Sequence, residues 1–228
     1  MTNPVRLGLM VPANNTTMEP EMLDWLPEGS LCKTLRVPRG DGLLTSESLP
    51  AYKKAAVELA AAFTETPVDV IAYGCTAAGF ILGPEGDAAI ARDLAAITGR
   101  PVVTTARAML DALREIGARR IALLTPYQDD VNMRIRRFLE SGDISVDHLD
   151  SFHAADVSAL GRITEDEVEQ RARAMIEADC DALFIACSQL PTFHILDSLQ
   201  RAFGKPVLSS IQSTAQYVMR HAASRPSA

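Results

Sequence analysis

The sequence predicts an α/β protein of two Rossmann-like halves related by pseudo-twofold symmetry, each with a central parallel sheet flanked by helices. Three observations support this prediction. Short apolar runs alternate with amphipathic segments along all 228 residues. These runs are apolar on both faces, which is typical of parallel strands that helices cover on both sides. Three segments of the first half also recur, in the same order, in the second half.

Each short apolar run in the chain predicts one strand, because it is rich in aliphatic residues and is bounded by turn residues. The predicted strands are 5–11, 30–37, 68–74, 101–104, 120–125, 145–149, 182–187 and 206–209.

The segments between the strands predict helices, because their apolar residues recur with helical spacing. In "TEDE", Thr164 and Glu167 are typical of a capping box at a helix start. The predicted helices are about 20–26, 46–65, 85–98, 105–117, 130–141, 165–178, 192–203 and 211–223.

The recurring segments indicate a duplicated α/β unit. "RLGLMVP" (6–12) is similar to "RIALLTP" (120–126), "VDVIAYGC" (68–75) to "CDALFIAC" (180–187), and "GRPVVTT" (99–105) to "GKPVLSS" (204–210). Any one pair is weak evidence, but the ordered set is stronger. We expect an N-terminal lobe over 1–115 and a C-terminal lobe over 116–228. The active site is expected in the cleft between them, and the C-terminal helix is a candidate for crossing over.

Bulk composition limits the classes of partner. The formal net charge is −7, and binding to nucleic acid needs a concentrated basic face. No apolar stretch reaches the roughly 18 residues that a membrane span requires. The N-terminus does not read as a secretory signal. We therefore expect a cytoplasmic protein that binds neither nucleic acid nor membrane, and a homodimer or homotetramer is a reasonable assembly.

The chain has four cysteines, and their spacing gives no C-x-x-C pair that would suggest a zinc site. Neither a G-x-G-x-x-G nor a G-x-x-x-x-G-K-[ST] motif is present, so nucleotide cofactors are unsupported. We predict no metal and no cofactor. Cys32 and Cys180 are interpreted as small buried hydrophobes.

Ligands of open parallel sheets bind beyond the carboxyl ends of the strands. The candidate residues there offer amides, hydroxyls and two thiols, without an obvious charged side chain. This composition predicts a site for a small carboxylate built from neutral donors. The candidates are Asn14, Asn15, Cys75, Thr76, Tyr127, Cys187 and Ser188.

Symmetry places Cys75 and Cys187 on opposite walls of the cleft. Each precedes a turn into a possible helix, whose N-terminus would lower the pKa of the thiol. Two thiols facing one carbon permit racemisation, in which one removes a proton and the other delivers one. They also permit addition to an activated double bond, followed by rotation and elimination.

Four stretches resemble the aspartate/glutamate racemase superfamily, nearest to its branch of maleate cis–trans isomerases and arylmalonate decarboxylases. They are "VPANNTTMEPE", "YGCTAAGF", "LLTPYQDDVN" and "ACSQLPT", and the resemblance runs from about Val5 to Tyr217. It implies a cofactor-independent enzyme in which Cys75 is the nucleophile and Cys187 the acid/base. It also implies that Asn15 and Tyr127 bind a substrate carboxylate.

The resemblance favours conversion of maleate to fumarate by Cys75 addition and Cys187 proton transfer. Arylmalonate decarboxylases retain only the second cysteine, so Cys75 favours an isomerase or racemase. The alternatives are a two-cysteine racemase of the aspartate/glutamate or hydantoin type, a decarboxylase using Cys187, and a non-catalytic carboxylate-binding protein. One departure is that maleate isomerases carry a further asparagine where this chain reads "DSFHAADVSALGRI". The glycine-containing segment 39–47 is either a surface loop or a lid.

Overall fold

The computed structural model describes residues 3–40, 42–175 and 179–223. All eight predicted strands are present within a residue or two of their expected limits. They are β1 (Arg6–Pro12), β2 (Leu31–Val37), β3 (Val70–Tyr73), β4 (Val102–Thr104), β5 (Arg120–Thr125), β6 (Ser145–Ser151), β7 (Ala182–Ile185) and β8 (Val207–Ser209).

The described residues also form ten α-helices, with a 3-10 turn (Ala61–Phe63) extending the second. The helices are α1 (Met18–Trp25), α2 (Leu49–Ala60), α3 (Thr76–Phe80), α4 (Gly83–Thr98), α5 (Thr105–Glu115), α6 (Asp129–Glu140), α7 (Val157–Gly161), α8 (Glu165–Ala174), α9 (Leu196–Phe203) and α10 (Ser210–Ala223).

Two helices were missed by the sequence prediction. Both α3 and α7 have five residues, which is too short for an apolar period of 3.6 to show. The predicted helix 165–178 ends at Ala174, and its last three positions, 176–178, lie outside the described residues. The capping box at its start is confirmed, because Thr164 and Glu167 each bond the other's backbone N–H.

The two sheets have the same strand order, which confirms the predicted fold class. The first is ordered β2-β1-β3-β4 and the second β6-β5-β7-β8, and all six pairings are parallel. The three recurring segments are β1 with β5, β3 with β7, and β4 with β8. Each pair occupies the same place in its sheet, as a duplicated unit requires.

The pairing registers bring the carboxyl ends of the central strands together at one edge of each sheet. In the first sheet Tyr73 lies opposite both Met10 and Thr104. In the second sheet Ile185 lies opposite both Leu124 and Ser209. The residues that directly follow Tyr73 and Ile185 therefore project from matching points of the two halves.

One hydrophobic core runs through both halves and includes the fully buried Tyr73, Phe80 and Phe184. A second cluster lies on the other face of the first sheet and includes Leu9 of β1, Val70 of β3 and Ile211 of α10. The C-terminal helix therefore follows the last strand of the second sheet and covers the first sheet. No helix within the described residues has the length and hydropathy to cross a membrane.

Two glycines end helices at equivalent points of the repeat. Gly99 follows α4 with φ 63° and Gly204 follows α9 with φ 66°, both in the left-handed region. A side chain is disfavoured there, which explains why glycine begins both copies of the G-[RK]-P-V motif.

Asp87 of α4 is a buried carboxyl group beside the end of β4. Its Oδ2 accepts a hydrogen bond from Thr104 Oγ1 at 2.9 Å, whereas Oδ1 is buried without a partner among the described residues. Burial raises the pKa of Asp87 to about 6 from 3.8, and the Thr104 hydroxyl opposes this shift. The carboxylate form is therefore disfavoured in the folded protein.

Replacing Asp87 with asparagine should remove a pH-dependent loss of stability. A raised folded-state pKa contributes stability that is present below the unfolded pKa of about 4 and is lost as the pH rises through about 6. The difference in unfolding free energy between variant and wild type should therefore grow by about 3 kcal/mol from pH 4 to pH 7. Urea unfolding at both pH values measures it, with Asp24→Asn on the surface as control. Parallel pH profiles for Asp87→Asn and wild type would refute the expectation.

Candidate active site

Cys75 lies between the end of β3 and the first turn of α3, and it is the N-cap residue of that helix. Gly74 precedes it because there is no room for a side chain at that point. A Cβ on Gly74 would lie 2.5 Å from Met18 Sδ and 2.9 Å from Val11 Cγ1. The small residues of "YGCTAAGF" thus let the strand end pack tightly while the chain turns into α3.

Cys187 occupies the equivalent place beyond β7, but a turn follows it instead of a helix. The next helix, α9, begins only at Leu196. A turn and then a helix thus follow both cysteines, as expected, but only Cys75 lies at the helix N-terminus itself. The Gln189 N–H still points at the Cys187 sulfur, at 3.4 Å.

Hydrogen bonds tie the two cysteine-bearing turns to each other. Ser188 Oγ, next to Cys187, donates to the carbonyl oxygen of Gly74, next to Cys75, at 2.8 Å. Asn15 Nδ2 donates to the Ser188 carbonyl oxygen at 3.0 Å. The positions of the two thiols are thus coupled through the backbone of both turns.

The seven residues predicted for the site all line one cavity of about 40 Å³ between the halves. This volume is far below that of a typical drug-sized ligand site. Both thiols are buried, with 6% of Cys75 and 8% of Cys187 exposed. The lining members of the predicted set are Asn14, Asn15, Cys75, Thr76, Tyr127, Cys187 and Ser188.

The polar side chains of the cavity differ in how many of their hydrogen-bonding groups are already bonded to the protein. Asn15 Oδ1 accepts from the N–H groups of Thr17 and Met18, and its amide nitrogen is bonded to Ser188. The Tyr127 hydroxyl is buried without a well-formed bond to any described residue. The structure therefore leaves Tyr127 with more hydrogen-bonding capacity for a ligand than Asn15.

The sequence analysis missed an apolar wall of the same cavity. Leu43 and Leu44 come from the segment after β2, Val131 from α6, and Leu160 from the short helix α7. Leu160 lies in the stretch where the resemblance marked a missing asparagine, so an apolar side chain is found there. Gln189 also lines the cavity, and its side chain bonds Thr16 and Thr17 of the other half. In the sequence, only the position of Gln189 within "ACSQLPT" could have marked it as a cavity residue.

A charged side chain also lines the cavity, which corrects the expectation of a site without charge. Arg39 is half-buried and follows β2. Its Nη2 donates to the Gly42 carbonyl oxygen at 2.8 Å, and its Nε is buried without a partner among the described residues. Nothing in the local sequence "VPRGDG" distinguishes this arginine from a surface residue.

Burial dominates the electrostatics of Cys75 and raises the pKa of its thiol. The Arg39 guanidinium is the strongest influence that lowers this pKa, ahead of the N–H groups of α3 and the nearby Tyr52 hydroxyl. The predicted lowering by the helix N-terminus is therefore present, but it is smaller than the desolvation penalty.

Burial likewise raises the pKa of Cys187, to about 11. The Gln189 N–H and the Tyr127 hydroxyl oppose this shift, whereas the charge of Cys75 adds to it. The thiols are thus close enough for ionisation of one to hinder ionisation of the other. At neutral pH Cys187 in the ligand-free cavity carries its proton.

The other two cysteines lie outside this cavity. Cys32 is half-buried on β2, 3.4 Å from Thr34 Oγ1. Cys180 is buried before β7, and its sulfur contacts the Ala182 carbonyl oxygen at 3.4 Å. The interpretation as a small buried hydrophobe is confirmed for Cys180, whereas Cys32 is only half-buried.

The repeated α/β fold, with a cavity that both thiols line, is that of a cysteine-dependent enzyme. The sequence model described as "Arylmalonate decarboxylase" matches residues 7–228. The chain belongs to this family.

Curated relatives and solved structures agree with this assignment. A maleate isomerase from Nocardia farcinica is 28% identical over 94% of this chain and 89% of its own. An arylmalonate decarboxylase from Bordetella bronchiseptica is 31% identical over 92% of this chain and 84% of its own. A cysteine-to-serine variant of Nocardia farcinica maleate cis–trans isomerase, with a covalently bound succinylcysteine intermediate, superposes with a TM-score of 0.86. It is 26% identical and covers 96% of this chain and 93% of that structure. These comparisons support a cysteine-dependent isomerase, the class of enzyme predicted from the sequence.

Proposed function

We propose that this protein isomerises a small dicarboxylate, with conversion of maleate to fumarate as the reaction. The observation that carries the proposal is that Cys75 and Cys187 line a single cavity and influence each other's ionisation. One thiol can add to the alkene while the other handles the proton, so no external acid or base is needed. The relatives named maleate isomerase add support to this reading.

The reaction begins when the Cys75 thiolate adds to one alkene carbon and forms a C–S bond. The electron pair moves through the second alkene carbon to its carboxylate, and the Cys187 thiol delivers its proton to that carbon. The former double bond is now single and rotates. Cys187 then takes back a proton from the same carbon, the double bond re-forms, and Cys75 leaves as thiolate.

The raised pKa of Cys187 fits this cycle, whereas burial raises the pKa of Cys75 against the thiolate form that the cycle requires. Cys187 enters with its proton, as an acid must. Cys75 requires a thiolate, and Arg39 and the first N–H groups of α3 favour that form. The Tyr127 hydroxyl lines the cavity and would donate to the carboxylate that gathers charge in the intermediate, where donors contribute most.

A second candidate is favoured by the apolar wall of the cavity. Leu43, Leu44, Val131 and Leu160 would contact an apolar substituent better than they would a second carboxylate. Cys187 alone could then protonate the carbanion left when an arylmalonate loses carbon dioxide. With both thiols, the same wall would suit racemisation of a chiral acid, including the amino-acid substrates considered from the sequence.

Product analysis separates these reactions. Wild-type protein is incubated in deuterated water with maleate, with phenylmalonate, or with one enantiomer of glutamate or of 2-phenylpropionate, and the products are followed by proton NMR. The proposal expects fumarate from maleate. Carbon dioxide and phenylacetate would identify the decarboxylase, and α-deuteration with loss of optical rotation the racemase. No product from maleate at high enzyme concentration would reject the proposed reaction.

A further inference from the structure

We infer that Arg39 is the cationic anchor for a substrate carboxylate and thereby sets the preference of the site for anions. The inference deepens the proposed function and rests on it for the identity of the substrate, but the role of Arg39 can be tested separately. Of the described residues that line the cavity, Arg39 is the only one with a permanently charged side chain.

The first argument is that the buried Nε–H of Arg39 has no hydrogen-bond acceptor among the residues that the structure describes. A buried donor without an acceptor costs free energy, and a carboxylate at the cavity wall would supply the acceptor. The planar guanidinium suits this role, because adjacent N–H groups can bind a carboxylate in two places. Since Nη2 uses one bond on Gly42, the protein holds the group in place while leaving Nε unsatisfied.

The proximity of Arg39 to Cys75 is the second argument. The positive charge of Arg39 lowers the pKa of the Cys75 thiol more than any other group does. Tyr52, Tyr73, Tyr127 and Cys187 also face Cys75, and none of them brings a positive charge. A carboxylate bound to Arg39 would therefore lie next to the nucleophile, where addition to an adjacent alkene carbon requires it.

Arg36 provides a contrast close by in the sequence. Both terminal nitrogens of its guanidinium are bonded, since Nη1 donates to the Asn15 carbonyl oxygen at 2.6 Å and Nη2 pairs with Glu19 at 3.1 Å. It does not line the cavity. Two arginines at the end of the same strand thus differ in whether the guanidinium lines the cavity. Arg36→Gln is therefore a charge-matched control for Arg39→Gln.

Alkylation of Cys75 by two reagents of similar size tests the inference without any turnover. Iodoacetate carries a carboxylate and iodoacetamide is its neutral counterpart, and peptide mass spectrometry reads Cys75 alone. In Arg39→Gln the ratio of the iodoacetate rate to the iodoacetamide rate should fall roughly tenfold or more. Arg39→Lys should restore part of this ratio, because lysine keeps the positive charge but lacks the paired N–H donors of the planar guanidinium. Arg36→Gln should leave the ratio at the wild-type value.

The neutral reagent separates anion binding from a merely structural role. If Arg39 only held its loop, Arg39→Gln would change both rates together and leave their ratio unaltered, which would overturn the inference. If the ratio falls but wild type does not convert maleate, the anchor stands and the proposed reaction fails. If maleate is converted, Arg39→Gln should raise its KM by roughly tenfold, and an unchanged KM would count against the anchor.

Discussion

Replacing Cys75 with alanine should reduce the conversion of maleate to fumarate by about 10⁴-fold or more, in line with the loss of other enzymatic nucleophiles. Without the thiolate no C–S bond forms, and the double bond keeps its barrier to rotation. The fold should persist, since Cys75 is small and its neighbours form continuous packing through Tyr73 and Phe80. Initial rates of fumarate formation, measured by NMR on protein with an unchanged urea-unfolding midpoint, check the result.

The matched control for this variant is Cys32→Ser, which removes a thiol from β2, outside the cavity. It should convert maleate at the wild-type rate. Substantial fumarate formation by Cys75→Ala would contradict the mechanism. If Cys75→Ala instead decarboxylated phenylmalonate as fast as the wild type does, Cys187 alone would be sufficient for that reaction. The second candidate function would then apply.

Replacing Cys187 with serine should stop the cycle halfway. The pKa of Cys187 is about 11 in the ligand-free site, and a serine hydroxyl is a far weaker acid and its alkoxide is not accessible at neutral pH. Turnover should therefore fall by roughly 10²–10⁴-fold, the range of general acid–base contributions. Because the final proton abstraction is the step that serine performs worst, the succinyl adduct on Cys75 should accumulate.

Intact-protein mass spectrometry after incubation with maleate detects that adduct as the added mass of one maleic acid. Peptide mapping should place it on Cys75. The double variant Cys75→Ala with Cys187→Ser should remain unmodified and serves as the control for adventitious addition. Normal turnover by Cys187→Ser would show that Cys187 is not the proton carrier. An adduct mapped to Cys32 instead would count against Cys75 as the nucleophile.

The order of elements and the duplication were determined by the sequence alone. Strands of this kind are local and strongly apolar, and three of them, with the residues directly after them, recur in similar form and in the same order. Because parallel strands end at one edge of a sheet, the location of Cys75, Cys187, Thr76 and Ser188 followed from the strand assignments. The five-residue helices α3 and α7 did not, since neither is long enough to show a period.

Only the tertiary structure decided the character of the cavity. Arg39, Leu43 and Leu160 come from segments after β2 and β6 that carry no periodic pattern, and folding brings them to the thiols. The direction of the thiol pKa shifts was likewise outside the reach of the sequence. A helix N-terminus is a local feature that can be predicted, whereas the desolvation that outweighs it depends on how every surrounding segment packs around the sulfur.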